Sequence, residues 1–452
     1  KGDFPYVNSF SLNKLTSVEV SECRFTRCGV IDNEQNGGSV IGILGEVATD
    51  AIVRNCTFDL VASGIVSYSE NIIVLGNEFI SCSRNTFRLT PHRGTKGFEL
   101  IENRFHDSIK GSILYSVAYG NTEGAYQLNN GDQGHLHFQP TIRGNEFKNI
   151  ELSPSTYFGD ETTYAFVFAL QADFPIIFED NTFENFRTHG NGFGLKVNLK
   201  AGITLDELDL QFKDCKFLNS NSNIDNGGAF GINNTQFGNA IKLTIEDCEF
   251  KNNHATAKGN AIFIAKENAK VAITGSKFID NHDATKDDEF NIVLESKGDI
   301  IIDDIEVLST SDYTCGGIKL SKRPSSNEIH IQNSRFTQTK ALGEGFGTIL
   351  FKPDETTQEQ DKLYIEECTF TRVWGESIDI FTNGAGSSGM ITIGKCQFIE
   401  CTNSRANELE KAIAIGVPQS AYFSNKIYNQ HVGFDIYECS FIRLRSQIGF
   451  QG

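Results

Sequence analysis

Leu243-Thr244-Ile245-Glu246-Asp247-Cys248-Glu249-Phe250-Lys251-Asn252-Asn253, followed shortly by Asn260-Ala261-Ile262-Phe263-Ile264, holds the pattern that decides the fold. Leu243 and Ile245 alternate with Thr244 and Glu246, the period-2 mark of a strand with one buried face. Asp247 breaks that alternation, and Cys248 and Phe250 resume inward positions in a new direction. The polar run 251–259 reads as a loop, and a third short strand follows with Ile262 and Ile264 inward. Three short strands and no helical periodicity predict one coil of a β-helix, with coils about 4.8 Å apart.

The phrase Asp247-Cys248-Glu249-Phe250 recurs along the chain as an acidic or small residue, then Cys or Asn, then any residue, then Phe. Its second position is occupied by Cys23, Cys56, Asn77, Asn103, Asn145, Asn181, Cys215, Cys248, Ser276, Ser334, Cys368, Cys396 and Cys439, with a degenerate copy at Ile305. These fourteen copies, many of them 26 to 36 residues apart, carry the period of a solenoid. Fourteen coils at the strand spacing make a rod roughly 65 Å long. The second position falls at the same bend in every coil, so its residues stack into an internal ladder. Asn there bonds its neighbours above and below as well as the turn backbone, and Cys is a small residue content to be buried. The Phe positions form a second stack, which accounts for 36 Phe against one Trp and one Met. Periodic apolar positions are packing positions, so the phrase reads as core rather than chemistry.

These residues resemble the right-handed parallel β-helix proteins of the pectin-lyase-like class. They look most like the surface proteins known as polymorphic outer membrane proteins and similar repeat proteins of protists. The family repeats pair Phe-x-x-Asn with Gly-Gly-Ala-Ile. Phe250-Lys251-Asn252-Asn253 and Phe278-Ile279-Asp280-Asn281 match the first, and Gly227-Gly228-Ala229-Phe230 and Gly259-Asn260-Ala261-Ile262 approach the second. The likeness implies an all-β, right-handed parallel β-helix and an extracellular or cell-surface location.

A solenoid grows without splitting, so the 452 residues are expected to form one domain over 1–452, with coils over 16–450. Forty basic against 58 acidic residues give a net charge of −18, which argues against a nucleic-acid partner. No run of 18 apolar residues occurs, so no membrane span is expected. The first residues, Lys1-Gly2-Asp3, carry neither initiator Met nor signal peptide, which predicts a processed or partial chain of a longer precursor. Eleven cysteines follow the ladder rather than a disulfide framework. Three pairs fall on consecutive coils (Cys23 and Cys56, Cys215 and Cys248, Cys368 and Cys396), within disulfide reach. Parallel in-register side chains rarely meet the dihedral requirement, so buried thiols are the expectation and disulfides the alternative. Asn-x-Ser/Thr triplets occur only at Asn55 and Asn233, close to chance in a chain this rich in Asn.

Insertions in a solenoid become flanking loops where binding often happens. The largest are expected near 106–141 and 402–435. The first holds Tyr115, Tyr119, Tyr126, Asp132, His135 and His137, aromatic and polar groups suited to sugar stacking, or a loop folded over the coil that buries its own tyrosines. His135 and His137 would share a strand face as a metal pair, but no third ligand is identifiable. Asp287, Asp288 and Glu289 are a candidate Ca²⁺ site without the Gly and alternate spacing of a defined calcium loop, so no cofactor is assigned.

Many β-helix proteins cleave polysaccharides and line an outer strand face with carboxylates and bases. Here the outward residues of the third strand run Gly231, Phe263, Val293, Lys319, Leu350, Asp379 and Ala414. Lys319 and Asp379 stand roughly 10 Å apart, two coils, on an otherwise apolar face. An apolar stripe through Phe263, Val293 and Leu350 asks for a cover, either a loop or another protein. The expectation is therefore a non-catalytic surface rod acting in adhesion or assembly. Its partners would be other surface proteins, further copies of itself or glycans. The alternative is a polysaccharide-binding or polysaccharide-cleaving β-helix protein.

Overall fold

A computed structural model describes residues 17–28, 39–43, 50–61, 63–67, 69, 71–82, 86–89, 97–107, 113–116, 139–152, 166–170, 175–188, 195–199, 207–222, 227–233, 240–282, 290–310, 316–321, 328–339, 347–352, 362–381, 390–401, 411–416, 433–443 and 447–451. Among them every regular element is a strand, and every strand pairing given is parallel. The chain is an all-β parallel β-helix, as the period predicts. Its contacts divide it into two compact units, residues 1–216 with 235–239, and residues 217–234 with 240–452. Seven copies of the repeat place their ladder residue in each unit.

In the first unit one sheet stacks strands such as Asp50–Arg54, Asn71–Leu75 and Gly97–Ile101. A second sheet stacks the three-residue strands that carry the Phe, and a third runs from Ser39–Ile43 to Leu195–Leu199. Register follows the repeat, with Phe25, Phe58, Phe79, Phe105, Phe147 and Phe183 paired in turn. Successive rings stack at 4.7 to 5.2 Å between centroids, the strand spacing itself. Offset-stacked aromatic pairs contribute beyond their buried area, so each coil is held to the next twice, by backbone and by ring.

The second unit repeats the plan. Ile241–Glu246, Ala269–Thr274 and Ile300–Asp303 begin the first sheet's share, and Phe230–Asn233 through Gln447–Gln451 form the third sheet. Phe250, Phe278, Val307, Phe336, Phe370, Phe398 and Phe441 are in register, so the degenerate copy keeps its coil with Val in place of Phe.

Eleven of the thirteen predicted Cys, Asn and Ser ladder residues are buried, and Cys23 and Cys439 are half-buried. Ile305 fills the degenerate position and is buried as well. The residue before each ladder position is in the left-handed region, from Glu22 at φ 55° to Glu438 at φ 51°, with Gly76, Gly144 and Gly275 among them. Nine of the fourteen are Asn, Asp or Gly, which tolerate that conformation best; four Glu and Lys395 adopt it without that advantage. A second left-handed bend follows two residues after the Phe, at Leu60, Asn149, Asn185, Asn252 and Asp280 among others.

Asn77, Asn103, Asn145 and Asn181 show what the ladder does. The Asn103 amide nitrogen donates to Val74 O at 2.8 Å, Ile101 O at 2.9 Å and Asn145 Oδ1 at 3.1 Å. Its Oδ1 accepts from both the backbone and the side chain of Asn77. Cysteine copies do less: Cys396 Sγ donates to Ile365 O and Gly394 O. The ten described cysteines are free thiols. Burial pushes Cys82 up to about 12, and a bond with Cys368 heads the causes that take Cys396 there. Such thiols stay protonated at neutral pH and are poor nucleophiles.

One contact reaches across two coils. Tyr437 lies over Gly394 and donates its hydroxyl to Glu366 Oε1 at 2.6 Å; a Cβ on Gly394 would stand 2.3 Å from the ring. The bond to Glu366, then burial, raises the phenol to about 12. A phenol raised on folding contributes its full stability below its unfolded pKa of about 10 and loses it as pH climbs through the folded value. In a titration followed at the phenolate absorbance, the parent minus Tyr437→Phe difference is expected to show one group ionising near 12. A difference centred near an ordinary ~10 would mean the clasp is not formed.

Candidate functional site

The predicted sugar-stacking loop is only partly within the described residues. Tyr119, Tyr126, Asp132, His135 and His137 lie outside them, as do Asp287, Asp288 and Glu289. Tyr115 sits in strand Leu114–Ser116, paired with Arg88 and Val167, so part of the segment expected as loop is the third strand of its coil. Lys411–Gly416 is likewise a strand inside the second expected insertion. A coil still needs its third side, however long the connections that flank it.

The outward stripe is in register as read: Gly231, Phe263, Val293, Lys319, Leu350, Asp379 and Ala414 pair in sequence. The expectation is that this stripe is covered, by a loop or by another protein. Phe263, Val293 and Leu350 are 4, 2 and 1 % exposed and cluster with Phe290. Asp379 is buried too, and Lys319 lies over the Phe290 ring at 5.5 Å. Alternation had identified which side chains leave the coil interior, but covering that side is a separate matter of tertiary packing.

A polar groove of about 580 Å³ runs along the first bend of the first unit, between Asn55 and Glu146. The bend column there reads Asn55, Gly76, Glu102, Gly144, so each glycine leaves a notch where its neighbours carry side chains. Thr57, Glu78, Arg104 and Glu146 line the adjoining strand edge. Arg104 Nε stands 3.6 Å from Glu146 Oε2, both side chains largely exposed. Small-molecule pockets are mostly apolar; this lining instead offers hydroxyl, amide, carboxylate and guanidinium groups, which suit a hydroxylated ligand. The alternating pattern of Gly and larger residues at the phrase's first position was the sequence signal for it.

Beside the groove, His106 bridges Glu78 Oε1 at 3.2 Å and Asp107 Oδ2 at 3.1 Å. The bond with His106, then one from Asn149, holds the Asp107 carboxyl below the usual carboxylate range. Among the described residues no group of three His, Cys, Asp or Glu side chains is arranged to hold a metal ion, and no helix is long and apolar enough to cross a membrane.

At the other extreme of the repeat, Gly433–Tyr437 and Ser440–Ile442 are the last strands of their sheets. Phe434 and Phe441 continue inward columns, opposite Ile391 and Phe398, yet are 40 and 39 % exposed, and Ile442 beside them is 43 % exposed. No protein-family model matches the chain, and no curated protein or solved structure is significantly similar to it.

Proposed function

We propose that the protein is a non-catalytic β-helix scaffold, at a cell surface or outside the cell, that works by contact in adhesion or assembly. The observation that carries this reading is that the repeat puts its recurring residues into a stacked Phe core and an interior Asn and Cys ladder, the build of a rigid scaffold. The resemblance of the repeats to pectin-lyase-like surface proteins of the polymorphic outer membrane protein type supports the location. Glycan contact is the second reading, and the polar groove from Asn55 to Glu146 is what favours it.

The test pairs assembly with turnover. The purified chain is incubated with acidic and neutral polysaccharides, with and without Ca²⁺, and its assembly state is followed by sedimentation. Concentration-dependent association, with every polysaccharide left intact, is the expected outcome. Cleavage of a polysaccharide, lost on changing Lys319 or Asp379, would sink the scaffold reading in favour of an enzyme.

A further inference from the structure

We infer that Asn55 is an attachment site for an N-linked glycan. Asn55-Cys56-Thr57 is one of two Asn-x-Ser/Thr triplets in the chain, and it is the geometry rather than the triplet that singles it out. The ladder asparagines are sealed in the coil interior with their amides bonded above, below and to their own turn. Asn55 stands one residue outside the ladder, at the left-handed bend with φ 53°, exposed, and none of the described hydrogen bonds engages its side chain. Among the described residues its amide has no part in holding the coil.

Room for a sugar is provided by the next coil. The Asn55 Oδ1 lies 2.9 Å from where a Cβ of Gly76 would be, so a larger residue at 76 would crowd the amide. Beyond Gly76 the groove continues past Glu102 and Arg104, whose polar groups can meet sugar hydroxyl and acetamido groups. Thr57 supplies the hydroxyl of the triplet from the outer side of strand Thr57–Asp59. The other triplet begins at Asn233, whose backbone is paired with Ala265 at the end of strand Phe230–Asn233.

The reaction is a group transfer from a lipid-linked diphosphate oligosaccharide. A bond forms between Asn55 Nδ2 and C1 of the first sugar, and the C1–O bond to the diphosphate breaks. The lipid diphosphate leaves with the electron pair, and the amide proton passes to a carboxylate of the transferase. Once folded, Cys56 is buried and the Thr57 N–H is bonded to Cys23 O at 2.8 Å, so transfer belongs to the chain before its coils close.

This inference rests on the extracellular reading, and the experiment separates the two. The full chain is produced behind a cleavable secretion leader in a eukaryotic host, and the peptide containing Asn55 is analysed by mass spectrometry after enzymatic deglycosylation in heavy-oxygen water. The expected result is heavy-oxygen Asp at position 55, lost completely in Asn55→Gln and in Thr57→Ala and kept in Asn233→Gln. Asn55→Gln and Thr57→Ala lie outside the interior ladder, and comparing their urea midpoints with the parent's guards against loss through misfolding. Secreted, folded chain with unmodified Asn55 overturns the assignment, wherever the native protein resides. The native location is judged separately, by where the chain is found when made without that leader.

Discussion

Phe250→Ala is expected to cost about 3 to 5 kcal/mol, the usual range for emptying a Phe site in a packed core. Phe250 is fully buried, with Phe217 stacked on one face at 4.8 Å and Phe278 on the other at 4.9 Å. Removing the ring opens a void between two parallel rings that are each fixed by their own strand, so neither can collapse into it. Its backbone neighbour Lys251 is exposed, and Lys251→Ala should stay within roughly 0.5 kcal/mol of the parent. Urea melts of the two variants check the pair. Because solenoid stability is a sum of coil and neighbour terms, the loss should appear as an early transition of the coils around 250 as well as a lowered midpoint. Equal losses in both variants would show that the inward assignment is wrong.

The contrast between those two adjacent residues was legible in the sequence because the repeat puts one side chain through the same environment many times. A single Cys-x-Phe would mean little; copies at a regular spacing define inward columns, and the columns at Phe and at Cys or Asn are where the structure has them. The same logic carried the third strand's register from Gly231 to Ala414 without a slip. It could not say what covers that strand's outer side. Phe263 and Val293 are outward from their coil and still buried, in one cluster with Phe290 and Leu350. Nor could it foresee Tyr437 reaching Glu366, since the bond skips the coil between and depends on Gly394 having no side chain. Periodicity reports what each coil shares. Sites and clasps are made by the coils that differ, such as Gly76 and Gly144 opening a groove among bulkier neighbours.

Asn103→Leu is expected to destabilise the first unit by about 3 kcal/mol or more, although Leu is the more apolar residue and the site is fully buried. The reason is arithmetic over named groups. Asn103 Oδ1 is the acceptor for the Asn77 backbone N–H at 2.9 Å and for its side-chain amide at 3.0 Å. Its own amide satisfies Val74 O and Ile101 O and reaches Asn145. Leucine can do none of this, and each buried donor left without an acceptor costs about 1 to 3 kcal/mol. Cysteine is the informative comparison, because the repeat itself uses it at this position. Where it does, the thiol donates to the carbonyls at the bend, as Cys56 does to Arg54 O at 3.3 Å. The sulfur also accepts weakly, as Cys56 does from the Cys23 N–H at 3.4 Å. Asn103→Cys should therefore keep a reduced version of both roles and lose only about 1 to 2 kcal/mol. The order of midpoints in denaturant, parent above Cys above Leu, is the result that supports a hydrogen-bonded ladder. If Leu matched or exceeded Cys, burial alone would be what the position selects, and the asparagines would be packing residues that happen to be polar.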